Sequence, residues 1–348
     1  MIYLIGTVRG KILRLQGFDF IVQNVVLRFA LLVALSSCAF FPKEVGEKRH
    51  IFSQRPTKVI WLQVPGVSIN HFSLVKLSGS IIEQPIPLES ALCTGRAWNY
   101  SLFDVAPSGK DTIEMQLSGS RNTKKDCQKL PYIWKDLLRY GFTSGVYHVN
   151  KSEPLNNSDQ MCYEENLNDI ALWRSVPTKN LKLNKDVKFH HQERNKQYYL
   201  NTAYFDKSCD EKVCHGEFEK NIKTIYEDFF VKREFHFLSI QDFSYQKFIK
   251  KQDYTAAKEY LQSLLNVVEY FRSRKADDLL FLVTFVDPVE MLLPPSGKDW
   301  KRILDKVQVH PGKLHSEVLA WGAGAEKFCG IYHTSDLKSK LLRAIAAE

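Results

Sequence analysis

Seven cysteines and ten histidines are the side chains of this 348-residue sequence whose chemistry can be weighed first. Cys38 closes Leu35-Ser36-Ser37-Cys38, behind the apolar run Phe29 to Leu35 and the basic Arg28. A thiol flanked by small residues after such a run can be acylated once the preceding segment is cut away. Cys209 and Cys214 enclose the polar loop Asp210-Glu-Lys-Val213 and are expected to form a disulfide, because closing so short a loop needs little rearrangement. His190, His191 and His215 lie near them in sequence, but the spacing matches no zinc motif, and a disulfide explains the pair better. With Cys38 set apart, six cysteines remain, an even number compatible with three disulfides; Cys93 with Cys127 is a secondary expectation. Gly322-Ala-Gly324 lacks the third glycine of a dinucleotide fingerprint and reads as a turn.

The order basic residue, apolar run, small residues, cysteine is that of a bacterial lipoprotein signal. It predicts that residues 1–37 are removed and that the rest is held on an acyl anchor at Cys38. With Ala39 behind the cysteine, the expected location is the periplasmic face of the outer membrane. A spanning helix fits worse, since the apolar run is far shorter than the roughly 20 residues a bilayer needs and Gln23, Asn24 and Arg28 interrupt a longer one. Met1 to Asn24 is long for a basic leader, which agrees with a translation start near Val25 or Val26.

Composition is that of an ordinary globular protein, 44% hydrophobic and 25% charged. The formal net charge is +9, and residues 1–37 hold four basic and one acidic side chain, so about +6 stays with the remaining 311 residues. For an exported protein the matching partners are anionic lipids or envelope polymers, with no nucleic acid expected.

Positioning elements follow from patterning. Residues 38–57, with Pro42 and Pro56, read as a tether. Lys58 to Val64 is an apolar run stopped by Pro65-Gly66, hence a buried strand. Pro131 to Tyr140 carries a helical pattern, and Gly145 to Val149 a strand. Residues 150–215 are polar and weakly periodic, and read as an insertion with little regular structure. Helices are predicted around Ile222–Val231, over Tyr254–Arg274 and from Thr334 onward, with strands at Glu234–Ile240, Leu279–Thr284 and Val318–Trp321. Strands alternating with helices predict an α/β domain over 58–348 whose mostly parallel central sheet is covered on both faces.

Four patches, in order, resemble the alkaline phosphatase superfamily in its sulfatase-like and nucleotide pyrophosphatase-like branches. They are Val59 to Gly66, the first strand; Phe103-Asp-Val-Ala-Pro107 through Gln116-Leu-Ser-Gly119, the nucleophile turn and helix; Trp134 to Gly145, the next helix; and Glu317 to Gly330 with Thr334-Ser-Asp336, the last strand and loop. The resemblance implies hydrolysis of phosphate or sulfate esters by a Ser, Thr or modified Cys beside two divalent metals held by Asp and His.

Carried over position by position, that site is nearly empty of its chemistry. The metal-binding Asp ending the first strand falls on Pro65. The nucleophile falls on Gly109, flanked by Ser108 and Thr112. The Asp-x-x-Gly-His element becomes Asp242-Phe-Ser-Tyr-Gln246, the Asp-His pair becomes Val286-Asp287, and the late His matches His310 with one extra residue after it. Asp242, Asp287 and His310 are therefore vestigial candidates, and no catalytic nucleophile, metal or cofactor is expected. The expectation is a lipid-anchored, non-catalytic protein that binds an envelope glycan or a protein partner through the old cleft. The alternative is an active hydrolase whose zinc, calcium or manganese ligands are shifted, with His148, His215 or His236 taking part.

Overall fold

The computed structural model describes residues 54–78, 85–122, 129–150, 163–177, 187–193, 197–230, 234–274, 277–291, 309–310 and 314–346. Cys38, Cys127 and Cys162 lie outside them, as do the leader and most of the tether. Among the described residues no helix is long and apolar enough to cross a membrane.

Twelve strands are described: β1 (Lys58–Pro65), β2 (Cys93–Trp98), β3 (Thr143–Val149), β4 (Ile170–Ser175), β5 (Val187–Phe189), β6 (Thr202–Asp206), β7 (His236–Asp242), β8 (Leu279–Val286), β9 (Glu290–Met291), β10 (Val309–His310), β11 (His315–Gly322) and β12 (Gly330–His333). Seven α-helices accompany them: α1 (Phe72–Ser78), α2 (Gly109–Ser118), α3 (Ile133–Arg139), α4 (Phe218–Ile225), α5 (Ser244–Lys250), α6 (Tyr254–Arg272) and α7 (Asp336–Ala346). Ten strands form one sheet in the order β12-β2-β11-β8-β1-β7-β3-β4-β6-β5. Every pairing in it is parallel except those of β11 with β8 and β2.

Apolar side chains on both faces explain the continuous runs. Ile60, Leu62 and Val64 of β1 pack toward α6 and its partners. Val59 and Trp61 pack toward α2, α3 and α7. Burying each such side chain stabilises the fold by roughly 1.5–3 kcal/mol, so a central strand buried on both faces is worth more than an edge. The strand expected at Val318–Trp321 is β11, which runs antiparallel to both its neighbours in an otherwise parallel sheet.

The polar stretch at 150–215, expected to hold little regular structure, contributes three strands among its described residues. β4, β5 and β6 lie within it and extend the sheet beyond β3. They escaped the apolar-run criterion because their buried positions include polar groups that satisfy one another. Asp206 Oδ2 accepts from Ser175 Oγ at 2.8 Å and from Asn221 Nδ2 at 2.6 Å, and Ser175 Oγ meets the Tyr147 hydroxyl at 2.8 Å. These hydrogen bonds spare the seam most of the roughly 1–3 kcal/mol that each orphaned buried group would cost, with only Asn221 Oδ1 of the four side chains lacking a partner.

Two disulfides are described. Cys209–Cys214 closes the expected loop, whose Asp210 Oδ1 accepts from the Lys212 and Val213 amides. The expected Cys93–Cys127 pairing is corrected, because Cys93 is bonded to Cys329, with Cα atoms 5.1 Å apart. Tertiary pairing decides this: β12 runs parallel to β2 with Gly330 opposite Gly95, which carries Cys329 to the start of β2. This bond spans 236 residues, so Cys93→Ser combined with Cys329→Ser should lower unfolding free energy by about 2–5 kcal/mol in denaturant titrations. A non-reduced digest joining Cys93 to any other cysteine would contradict the pairing.

Candidate functional site

β1 and β8 run side by side, with Pro65 opposite Val286, and both end at the carboxyl edge of the sheet. Gly66 then turns the chain with φ +86°, its amide donating to the Val286 carbonyl at 2.8 Å. A side chain could not follow Pro65 here, because a Cβ on Gly66 would stand 3.1 Å from the backbone of Gln246. Helix α2 begins over this turn. Its N-cap Ser108 accepts from the Asp111 amide and donates to the Asp111 carboxylate at 2.7 Å, so the hydroxyl beside the nucleophile position is engaged in capping. Thr112, the other flanking hydroxyl, is fully buried.

Four positions singled out from the sequence thus meet in space: Pro65, Gly109, Gln246 and Asp287. A Cβ on Gly109 would lie 2.9 Å from Pro65 Cβ and 3.7 Å from Asp287 Cβ. Gln246 Nε2 donates to Asp287 Oδ2 at 3.1 Å. Asp287 also accepts from the Gly109 amide at the head of α2, and its backbone is left-handed, with φ +45°. Burial raises the Asp287 pKa, while the charge of Lys250 and these two hydrogen bonds pull it back down. Chemically the cluster holds one carboxylate and no nucleophilic side chain.

The remaining candidates lie elsewhere. Asp242 ends β7, accepts from the Ser244 amide at 2.8 Å and faces Tyr260 of α6; burial first, then the Asp242 charge, push that phenol upward. It caps the start of α5, on the opposite face of the sheet from Gln241. His310 falls on β10, opposite Glu290 of β9 in a separate two-stranded ribbon. His236 begins β7 at the far edge of the sheet, and His215 is exposed, 3.6 Å from Asp210. Among the described residues no group of three or more His, Cys, Asp or Glu is arranged to hold a metal ion.

Just beneath the cleft lies a feature that sequence patterning did not single out. Arg174, His148, Gln241, Gln63 and Thr284 are laterally paired on five neighbouring strands, forming one buried polar row across the sheet. Gln63 is its hub. Its Oε1 accepts from Ser239 Oγ at 2.8 Å and Gln241 Nε2 at 3.3 Å, and its Nε2 donates to Gln116 Oε1 of α2 at 2.7 Å. Trp61 Nε1 donates to Thr284 Oγ1, which donates on to Gln116 Oε1. Burial and the nearby Arg174 charge lower the His148 pKa to about 3, so this imidazole is neutral. Polar residues inside the apolar runs 58–65 and 236–242 were the available signal for this row.

Glu114, on the same helix, is 5% exposed, and burial raises its pKa from 4.5 to about 7. A carboxyl raised in the folded state binds more protons folded than unfolded between those two values. Its stabilising contribution is therefore complete below pH 4.5 and is lost as pH rises through 7. Glu114→Gln should flatten the stability-against-pH curve in this window, removing a fall on the order of 2–3 kcal/mol. Chemical unfolding at pH 5 and pH 8 reads this directly, and equal slopes in both proteins would refute it. Installing a nucleophile should fail for steric reasons. Gly109→Ser forces its Cβ onto Pro65, so we expect destabilisation by about 1–3 kcal/mol and no phosphatase activity. A thermal midpoint equal to that of the parent would refute the clash.

No family model and no curated protein sequence matches the chain. Solved structures do. Alkaline phosphatase from the Antarctic bacterium TAB5 superposes with a TM-score of 0.60 at 12% identity, covering 85% of this chain and 100% of that one. The cold-active enzyme of a Shewanella species gives 0.61 at 11% identity, covering 83% and 99%, and that of Thermus thermophilus 0.64 at 9%, covering 85% and 92%. At such identities the likeness speaks of architecture alone. By its sheet order, its helices and the extent of these superpositions, the chain has the alkaline phosphatase fold.

Proposed function

We propose that this is a lipid-anchored envelope protein that keeps a phosphatase-like scaffold without its catalysis and uses the cleft region to bind a partner. The observation that carries this reading is the meeting of Pro65, Gly109, Gln246 and Asp287 at the head of α2. Displacement at phosphorus or sulfur needs a nucleophile and a cluster of positive charge within a few ångströms, and losing either removes most of the rate. Proline and glycine supply neither. The glutamine amide is spent on Asp287, and Asp287 is spent on the Gly109 amide and Gln246. Conserving a fold while its site changes is physically permitted, because the sheet and helices are held by packing that does not involve the site.

The partner is expected to be an envelope glycan or protein, and the location the periplasmic face of the outer membrane, through Cys38. Purified protein should not turn over aryl phosphate, phosphodiester or sulfate substrates above the buffer rate, with or without zinc, calcium or manganese. Saturable, metal-dependent turnover, together with about two equivalents of bound metal, would replace this reading by the shifted-ligand hydrolase. Fractionation tests the anchor separately. Cys38→Ser should abolish processing and membrane retention, and a variant still processed and still membrane-bound would contradict acylation.

A further inference from the structure

At the carboxyl end of β2 a hollow of about 490 Å³ opens between the strand and the loop that follows it. Ligand sites typically fall within roughly 300–1,000 Å³. Three half-exposed rings line the hollow, Trp98 at 43%, Tyr100 at 41% and Phe103 at 52% exposure, with Leu314 beside them and Ser101 and Asp104 as polar lining. Neighbouring rings hold two of them in place. Trp98 stands edge-on to His315 with centroids 6.1 Å apart, and Tyr100 edge-on to His333 at 4.6 Å. Rings already held lose little freedom when a ligand arrives.

The backbone here is largely engaged within the fold. The Trp98 carbonyl accepts the Thr334 amide at 2.8 Å, the Tyr100 carbonyl accepts from His333 Nε2 at 2.7 Å, and the Leu102 amide donates to the Arg121 carbonyl at 3.1 Å. The Ser101 amide donates to the Asp104 carbonyl, and the Phe103 and Asp104 amides donate to Ser101 Oγ. A peptide adding itself as a strand would find these groups taken. Recognition falls to side chains: the aromatic faces, the exposed Asp104 carboxylate, and Arg96, which shares the outward face of β2 with Trp98. Glu317, opposite Arg96 on β11, accepts the Ile69 amide at 2.7 Å.

We propose that the hollow seats a hexopyranose unit of a polysaccharide. This rests on the reading above that an envelope glycan is the partner, and places its seat at the end of β2, on the same edge of the sheet as the cleft. A pyranose ring has an apolar C–H face that can lie on an indole, and a rim of hydroxyls. A hydroxyl both donates and accepts, so the rim can donate to the acceptor-only carboxylate of Asp104 and accept from the donor-only guanidinium of Arg96. A lipid tail or an apolar side chain would desolvate both charges without replacing their hydrogen bonds. Leu102 and Val105, 65% and 71% exposed, leave the hollow open at its side, which suits a unit inside a continuing chain.

Isothermal titration calorimetry of the purified full chain tests this, in a detergent whose headgroup carries no sugar, with cellohexaose, maltohexaose, chitohexaose and mannohexaose as probes. At least one should bind with a Kd of about 0.01–1 mM. Trp98→Ala and Asp104→Asn should each weaken that probe at least about tenfold, with unchanged far-UV circular dichroism, and Trp98→Phe should retain most of the affinity. Tyr199→Ala removes an exposed ring near the opposite end of the sheet and should leave binding unchanged. Failure of all the probes at about 10 mM, full binding by Trp98→Ala or Asp104→Asn, or an equal loss in Tyr199→Ala would overturn the proposal. So would an apolar peptide or lipid vesicles bound through Trp98 by a chain that ignores every glycan. The two readings fail separately. Metal-dependent turnover would remove the non-catalytic assignment and leave these titrations standing, whereas a glycan bound without Trp98 would remove the hollow and leave the glycan partner standing.

Discussion

The Gln63 side chain is the joint on which this architecture turns. It sits at the centre of a sheet buried on both faces, where an amide without partners would cost more than most single contacts provide. Its two ends are satisfied by different layers: the oxygen by Ser239 and Gln241 of the neighbouring strand, the amide nitrogen by Gln116 of α2. Helix α2 is thereby tied to one register over β1. A hydrophobic contact alone would tolerate sliding, whereas an amide pair at 2.7 Å does not.

That register has consequences at the cleft. With α2 fixed over β1, its first residue is brought against Pro65, and only a residue without Cβ fits. The same placement points the Gly109 amide at Asp287, which accepts it from a left-handed backbone that a non-glycine residue adopts only at some cost. The head of a helix is where an anion is favoured, and here the chain's own carboxylate takes that place. Packing and the buried amides hold the scaffold, and by fixing α2 over β1 they also limit what can stand at Gly109.

Two other regions show the sheet being extended and secured by polar and covalent means rather than by more apolar area. On one side, hydrogen bonds among Asp206, Ser175, Asn221 and Tyr147 let β4 to β6 join the core. Gly216 allows the following chain to pass so near Asp206 that a Cβ would meet its carboxylate at 2.3 Å. On the other, the Cys93–Cys329 bond clamps the short edge strand β12 to β2.

Much of the architecture was legible in the residues themselves. Runs such as Lys58 to Pro65 and Leu279 to Val286 can be buried only as strands covered on both sides, and the 3.6-residue period of Tyr254 to Arg272 allows only a helix. Pro65 and Gly109 carry neither a nucleophile nor a side-chain metal ligand by residue type alone, wherever the chain places them. What the sequence could not supply was partnership. Whether β11 runs parallel or antiparallel, which cysteine meets Cys93, and whether Ser175 and Asp206 can be buried all depend on groups brought together from far along the chain. Arg174, His148, Gln241, Gln63 and Thr284 are scattered over more than two hundred residues, and only lateral strand pairing makes them one row. Local chemistry is written in composition and period, whereas the satisfaction of a buried polar group is a property of its neighbours in space.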